Sequence, residues 1–122
     1  MENNEKQREL FKKLNEKITV REIQKYVKEI IGLRGFSNKT YKDEMLLMIE
    51  EVGELAKAVR KRDLSSTIDK EKLNPYTEIE EEIADVFIVL VEICNVLNID
   101  LLNCVIEKES INIKRKWSKN DE

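Results

Sequence analysis

Only three glycines and one proline occur among the 122 residues of this chain. β-Sandwiches and barrels need many tight turns, for which glycine and proline are the usual residues. Apolar residues recur at helical spacing instead, for example at Val20, Ile23, Val27 and Ile30. The sequence therefore predicts an all-α fold, and a chain of this length is expected to form one domain.

Helix-capping residues predict where the main helices begin. Thr19 with Glu22 fits a capping box, in which each side chain satisfies a free backbone N–H of the other residue. Thr40 with Asp43 starts a second helix in the same way, and Asp100 is a typical N-cap for the last one. The predicted helices span roughly 19–31, 40–62, 77–97 and 101–117. We expect a four-helix bundle-like arrangement with a short extra helical extension at the N-terminus.

Apolar residues on the second and third predicted helices form one stripe on each helix. The stripes consist of Met45, Met48, Ile49, Val52, Leu55, Ala56 and Val59 on the second helix, and of Ile79, Ile83, Val86, Phe87, Leu90, Cys94 and Leu97 on the third. If these stripes face each other, the two helices form an antiparallel pair. The second helix is apolar over more than half of its circumference, which indicates burial on two sides and hence contact with another subunit.

Several features of the chain predict a cytoplasmic protein. Cys94 and Cys104 form no CxxC pair, so nothing indicates a disulfide framework or an oxidising compartment. The first ten residues, MENNEKQREL, lack the apolar stretch of a signal peptide. The longest apolar run, Val86 to Val91, is too short to cross a bilayer. We therefore expect a soluble protein with no membrane partner.

The chain contains no histidine. This excludes Ser-His-Asp and Cys-His nucleophilic sites, imidazole general bases and zinc or iron sites with histidine ligands. Any chemistry must come from carboxylates, lysine, arginine, tyrosine or thiols. The formal net charge of −3 also disfavours nucleic-acid binding, because no concentrated basic patch occurs outside the C-terminus.

Two pairs of acids occupy matching positions on the second and third predicted helices. Glu51 with Glu54, and Glu82 with Asp85, each have i, i+3 spacing. At roughly 100° per residue, each pair lies to the same side of its apolar stripe, at offsets of roughly 80° to 150°. Two antiparallel helices packed through their stripes would bring all four carboxylates together. Such a group needs protons or cations to offset its repulsion, and an all-oxygen ligand set favours Mg²⁺ first and Mn²⁺ second.

Lys108, Asn112 and Arg115 follow one line of the last predicted helix, together with Leu101 and Val105. Cations that meet an acidic Mg²⁺ site are what a polyphosphate substrate requires. Basic residues near a helix C-terminus also interact favourably with the helix dipole, which is the ordinary alternative. The sequence alone leaves both interpretations open.

Taken together, these residues resemble those of the MazG-like nucleotide pyrophosphohydrolases, in the all-α NTP pyrophosphatase superfamily. That family carries EExxE followed by ExxD, which is matched here by residues 50–54 and 82–85. Its K-x-x-x-N-x-x-R tail is matched by Lys108, Asn112 and Arg115, and its Arg-Gly-aromatic turn by residues 34–36. The resemblance covers residues 19–117, which leaves residues 1–18 as an N-terminal extension and residues 118–122 as a tail.

The resemblance implies hydrolysis of a nucleoside triphosphate to its monophosphate and pyrophosphate, as in nucleotide-pool house-cleaning. Carried over position by position, it makes Glu51, Glu54, Glu82 and Asp85 the Mg²⁺ ligands. It also gives substrate contacts to Lys108, Asn112 and Arg115, and it makes Glu50 the candidate for activating water. Phe36 would stack on the base or simply pack in the core. The family further implies a homodimer or a homotetramer.

Three alternatives remain open at this stage. Two are related enzymes with similar acidic sites, a dimeric dUTPase or a phosphoribosyl-ATP pyrophosphohydrolase. The third is a catalytically silent helical regulatory or interaction protein, in which the matched acids would only be solvated surface. Intact acids at all four ligand positions favour an enzyme.

Overall fold

Five α-helices and no strand make up the parts of the chain that the computed structural model describes, residues 2–62 and 79–118. The helices are α1 (Glu2–Phe11), α2 (Val20–Leu33), α3 (Tyr41–Arg62), α4 (Ile79–Val96) and α5 (Leu101–Asn112). The predicted all-α class is confirmed, with α1 as the additional N-terminal helix. No helix in these two ranges is long and apolar enough to cross a membrane.

The predicted caps start α2, α3 and α5. Thr19 Oγ1 accepts a hydrogen bond from the Glu22 amide at 3.1 Å, and Glu22 Oε1 accepts one from the Thr19 amide at 3.1 Å. Thr40 and Asp43 make the same exchange at 3.2 and 3.0 Å. Asp100 Oδ1 accepts from the Asn103 amide at 3.0 Å. These bonds satisfy the N–H groups that a helix start leaves free. The predicted start of the third helix, at residue 77, lies outside the described residues.

Helix α5 is shorter than the sequence predicts. It ends at Asn112 rather than continuing to Trp117. The indole Nε1 of Trp117 donates a hydrogen bond to the Asn112 carbonyl at 3.1 Å. The last carbonyls of a helix have no partner within the helix. Here the chain turns back after α5, and Trp117 supplies a donor to one of those carbonyls. The chain between α4 and α5 turns at Asn98, whose φ of 55° is the left-handed conformation common at helix ends.

A polar network joins α2 to the turn between α4 and α5. Gln24 Nε2 donates to Asn95 Oδ1 at 3.1 Å and to the Ile99 carbonyl at 2.9 Å, while Gln24 Oε1 accepts from the Leu101 amide at 2.8 Å. Arg21 forms a 2.7 Å ion pair with Asp100, the N-cap of α5. These bonds hold α5 against α2. At the other end of α2, helix α1 is attached by polar bonds and buries no residue of its own.

Helices α3 and α4 form the most extensive helix pair in the described part of the chain. Glu51 of α3 lies near Asp85 of α4, and the carboxyl group of Glu44 lies beside that of Glu92. The earlier residue on α3, Glu44, lies beside the later residue on α4, Glu92. The two helices are therefore antiparallel, as the sequence predicts.

The prediction that the two apolar stripes would face each other within the chain is wrong. Ile49 exposes 64% of its surface and Val52 exposes 47%. The large apolar stripe residues that α3 and α4 leave exposed form what we call the apolar face, which consists of Met45, Ile49, Val52, Val59, Ile83, Phe87 and Leu90. The interface between α3 and α4 instead buries Glu44, Glu82, Val89 and Glu92. Helical periodicity identifies an apolar side of a helix, but it does not say which surface covers that side.

Candidate metal centre

Three carboxylates converge between the middle of α3 and the first two turns of α4. Glu51, Glu82 and Asp85 each place one carboxylate oxygen so that all three atoms lie within 4.8 Å of one another. Glu82 is only 4% exposed, Glu51 is half-buried and Asp85 is exposed. One i, i+3 step on α4 aims Glu82 and Asp85 at Glu51 on the facing helix. We call these three groups the carboxylate cluster.

The carboxylate cluster carries unfavourable negative charge. Burial raises the pKa of Glu51, and the charges of Asp85, Glu82, Glu54 and Glu50 raise it further. The pKa of Asp85 is also raised, by burial and then by the charge of Glu82. The raised pKa values of these two acids mean that burial and mutual repulsion make their ionised forms unfavourable. A bound cation would remove that cost.

The geometry of the carboxylate cluster suits a small, hard cation. Oxygen ligands on opposite sides of one Mg²⁺ ion are about 4 Å apart, because each lies about 2.1 Å from the metal. The three oxygens here lie within 4.8 Å of one another, so small side-chain rotations would bring them onto one ion. The set contains neither sulfur nor nitrogen, which favours Mg²⁺ or Mn²⁺ over softer metals.

The other two predicted acids of α3 lie beside the carboxylate cluster. Glu54 is exposed and sits almost one helical turn beyond Glu51, outside the group of three oxygens. Glu50 is exposed and precedes Glu51 directly. Both are close enough for their charges to raise the pKa of Glu51. Their roles as fourth ligand and water-activating group stay predictions.

The predicted substrate-binding residues of the last helix lie on α5 or directly after it. Lys108 and Asn112 belong to α5, which packs on α2, and Arg115 follows the end of α5. Asn112 Nδ2 donates to Glu109 Oε2 at 2.9 Å, and the Arg115 guanidinium lies 5.9 Å from the centre of the Trp117 ring. These residues are not members of the carboxylate cluster, and their contact with a substrate stays a prediction.

Phe36, the predicted base-stacking residue, lies in the turn between α2 and α3 and is half exposed. The Lys39 ammonium lies 4.8 Å from the centre of its ring. Phe36 lines a cavity that also contains the buried side chains of Glu44 and Glu92. The sequence analysis missed these two acids. The sequence feature that could have identified them is their spacing. Glu44 precedes Glu51 by seven residues and Glu92 follows Asp85 by seven, so each lies on the same side of its helix as a member of the carboxylate cluster.

The described residues define an all-helical protein with a cluster of three carboxylates between two antiparallel helices. The family model described as the MazG nucleotide pyrophosphohydrolase domain matches residues 39–115, which is more than half of the chain. The chain therefore belongs to the MazG nucleotide pyrophosphohydrolase family, which confirms the resemblance seen in its motifs. A comparison with curated proteins gave no significant match.

Membership of this family indicates a nucleotide pyrophosphohydrolase. The matched region contains both acidic motifs and ends at Arg115, so it includes every predicted site residue except Phe36. Members typically use a divalent metal ion, and the carboxylate cluster is a group of acids on this chain that fits one.

Proposed function

We propose that this protein is a Mg²⁺-dependent nucleoside triphosphate pyrophosphohydrolase that cleaves (d)NTP to (d)NMP and pyrophosphate in the cytoplasm, as a house-cleaning enzyme of the nucleotide pool. The observation that carries the proposal is the convergence of Glu51, Glu82 and Asp85 between the two helices that bear the family's acidic motifs. Nothing else in the described residues brings three such ligands together.

In this proposal Glu51, Glu82 and Asp85 hold the metal ion, and Glu54 completes the set from the next turn of α3. A bound Mg²⁺ supplies positive charge that neutralises phosphate oxygens and favours loss of a proton from water. Glu50 orients the attacking water and accepts its proton. A carboxylate can do this at neutral pH, because an ordinary glutamate is ionised there. Water attacks the α-phosphorus, and pyrophosphate leaves.

Lys108, Asn112 and Arg115 are assigned the substrate side of the reaction. Arginine and lysine offset the charge of phosphate oxygens, and arginine can bind them with two parallel hydrogen bonds. Asn112 carries an amide that can form hydrogen bonds with a base or a sugar group of the nucleotide. Stabilisation of charge by such fixed groups accounts for most catalysis of phosphoryl transfer.

We also propose that the apolar face is covered by a second copy of the chain, giving a homodimer or a dimer of dimers. Its members on α3 and α4 lie on adjoining helices, and such contiguous apolar surfaces are rare on monomeric proteins. A face that two copies share is self-complementary, as two-fold symmetric interfaces require.

The test is a panel of nucleoside triphosphates incubated with Mg²⁺, with pyrophosphate and orthophosphate measured separately. We expect pyrophosphate release, and we expect Glu51→Gln and Asp85→Asn to reduce it by at least about a thousandfold, because each removes a charged ligand from the reacting centre. Glu16→Gln, an exposed residue in the turn after α1, is the matched control and should retain full activity. Orthophosphate release would indicate cleavage between the β- and γ-phosphates, and no release would favour a silent regulatory protein. Either result would contradict the proposal.

A further inference from the structure

Two lysines follow the acids of α3 on the same side of the helix. Lys57 and Lys61 lie three and seven residues after Glu54, and all three belong to the continuous helix α3. At roughly 100° per residue, both lysines lie within about 60° of Glu54 around the helix axis. They therefore continue the side of α3 that carries Glu54 towards the C-terminal end of the helix. We call Lys57 and Lys61 the lysine pair.

The lysine pair lies close to the acids of the candidate metal centre. In an α-helix the Cα–Cβ bonds tilt towards the N-terminus, so a long side chain covers the preceding turn. The charge of Glu54 acts on the Lys61 ammonium group and favours its charged form, which shows that the two groups are near each other. Glu54 in turn is near enough to Glu51 for its charge to raise the pKa of Glu51. The lysine pair thus adjoins the carboxylate cluster through Glu54.

The lysine pair also places positive charges side by side. Partial burial lowers the pKa of Lys61, and the charge of Lys57 lowers it further, while the charge of Glu54 opposes both effects. Like charges at short range destabilise the charged forms of both groups. An anion that contacts both ammonium groups would remove this cost, as a cation would for the carboxylate cluster.

Interaction with the helix dipole is the ordinary role of basic residues near a helix C-terminus, and it falls off within the last turn. The basic residues in the last turn of α3 are Arg60, Lys61 and Arg62. The dipole can account for these three, but Lys57 lies before that turn. Lys57 therefore needs another explanation, and its position beside Lys61 and Glu54 suggests one.

The proposed reaction requires cations beside the metal ion. The acids whose charges meet at Glu51 are Asp85, Glu82, Glu54 and Glu50. One Mg²⁺ ion offsets only part of the charge of such a group, and a triphosphate brings several further negative charges. Basic side chains next to the phosphates offset this repulsion, and lysine is a common phosphate ligand. The lysine pair supplies such side chains from the same helix as Glu51.

We propose that Lys57 and Lys61 bind the β- and γ-phosphates of the substrate and hold them as pyrophosphate leaves. This inference rests on the proposed function, because it assumes a triphosphate at the carboxylate cluster. Water forms the new bond to the α-phosphorus and gives its proton to Glu50. The electrons of the bond between the α-phosphorus and the bridging oxygen pass to the leaving pyrophosphate. The two ammonium groups donate hydrogen bonds to its oxygens and offset the charge that develops there.

Calorimetric titration with inorganic pyrophosphate in the presence of Mg²⁺ tests the lysine pair without turnover. We expect Lys57→Gln and Lys61→Gln each to weaken pyrophosphate binding by about tenfold or more, because each removes a charged hydrogen-bond donor. The matched control is Arg60→Gln, which makes the same change of charge in the last turn of α3. Arg60 lies about 120° from Glu54 around the helix axis, so this variant should bind pyrophosphate as the wild type does.

Two further measurements separate phosphate binding from a structural role. Both lysine variants should retain the rise in Tm that Mg²⁺ gives the wild type, because the carboxylate cluster is unchanged. Their kcat for pyrophosphate release from a nucleoside triphosphate should fall by about tenfold or more, because the charge that the lysines offset develops in the transition state. A purely structural role would lower Tm and leave the pyrophosphate affinity of the folded protein unchanged.

Unchanged pyrophosphate affinity in both glutamine variants, or an equal loss in Arg60→Gln, would overturn the inference, while pyrophosphate release by the wild type would still support the proposed function. A wild type that hydrolyses no triphosphate would contradict the proposed function. The calorimetric comparison would then still decide the assignment of the lysine pair, and a wild type that binds no pyrophosphate would overturn it.

Discussion

Glu51 and Asp85 lie on different helices, yet their carboxylate oxygens are within 4.8 Å of each other, with an oxygen of the buried Glu82 equally close. The protein keeps this repulsive group between α3 and α4, the most extensive helix pair in the described part of the chain. A cluster of acids that destabilises the folded protein without a cation and stabilises it with one is typical of a metal centre. Two predictions test this relationship directly.

Mg²⁺ should stabilise the folded protein. A ligand that binds only the native state at a hundred times its Kd adds about 3 kcal/mol to the free energy of unfolding, which corresponds to a rise of several degrees in Tm. We expect this rise in a thermal melt with Mg²⁺ and its reversal by a chelator. Glu82→Gln should abolish the rise, whereas Glu16→Gln should keep it. An equal rise in both variants would mean that Mg²⁺ binds elsewhere.

Asp85→Asn should raise Tm in the absence of metal. The pKa of Asp85 is raised by burial and by the charge of Glu82, so its ionised form is unfavourable at neutral pH and a neutral isostere relieves that cost. The same variant should lose the stabilisation by Mg²⁺. The control is Glu81→Gln, an exposed acid on the same helix. A metal-free Asp85→Asn protein that melts below the wild type would contradict the description of the cluster as repulsive.

The Glu92 carboxyl group should make stability fall as pH rises. Its pKa is about 7 in the folded protein and 4.5 as the ordinary value, so between these values the folded state holds a proton that the unfolded state has lost. Stability is therefore greatest below pH 4.5, declines up to about pH 7 and is constant above it. The charged groups around Glu92 are Glu44 from α3, Lys39 and Arg34 from the turn after α2, and Lys28 from α2.

Denaturant unfolding at several pH values measures this effect as the difference between the wild type and Glu92→Gln. Subtraction cancels the other titrating groups, including Glu51 and Asp85. The difference should change only between about pH 4.5 and 7. A difference that does not vary with pH would show that the pKa of Glu92 is the same in the folded and the unfolded protein.

Ile49→Asp should dissociate the proposed oligomer without unfolding the subunit. Ile49 is 64% exposed within one chain, so an aspartate there remains solvated in the monomer but would be buried in an interface at the apolar face. Sedimentation should give a multiple of 14.4 kDa for the wild type and 14.4 kDa for the variant. Phe11→Asp is the matched control, because Phe11 is 63% exposed but lies on α1. A wild type that sediments as one chain would refute the proposed oligomer.

Local features of the sequence were enough to predict the helices and several of their ends. Thr19 with Glu22, Thr40 with Asp43, and Asp100 act within one helical turn, so their effect depends on neighbours that the sequence already names. The i, i+3 spacing of acids on two antiparallel helices predicted that four acids would converge. Three of them, Glu51, Glu82 and Asp85, do so, although the helices do not pack through their apolar stripes as that prediction assumed. The end of α5 was not predicted, because it depends on Trp117 turning back to reach Asn112.

What only the tertiary structure decided is which side of α3 and α4 the chain buries. An apolar stripe indicates that a surface must be covered, but its periodicity is the same whether the cover is the next helix or another subunit. In this protein the chain leaves Ile49 and Val52 exposed and buries Glu44, Glu82 and Glu92 instead. Burial of an acid depends on partners that are distant in sequence, here Lys39 and the facing glutamate, and no local pattern specifies them. The sequence by itself thus determined the helices and their family, and the packing of two of those helices determined which acids became a site.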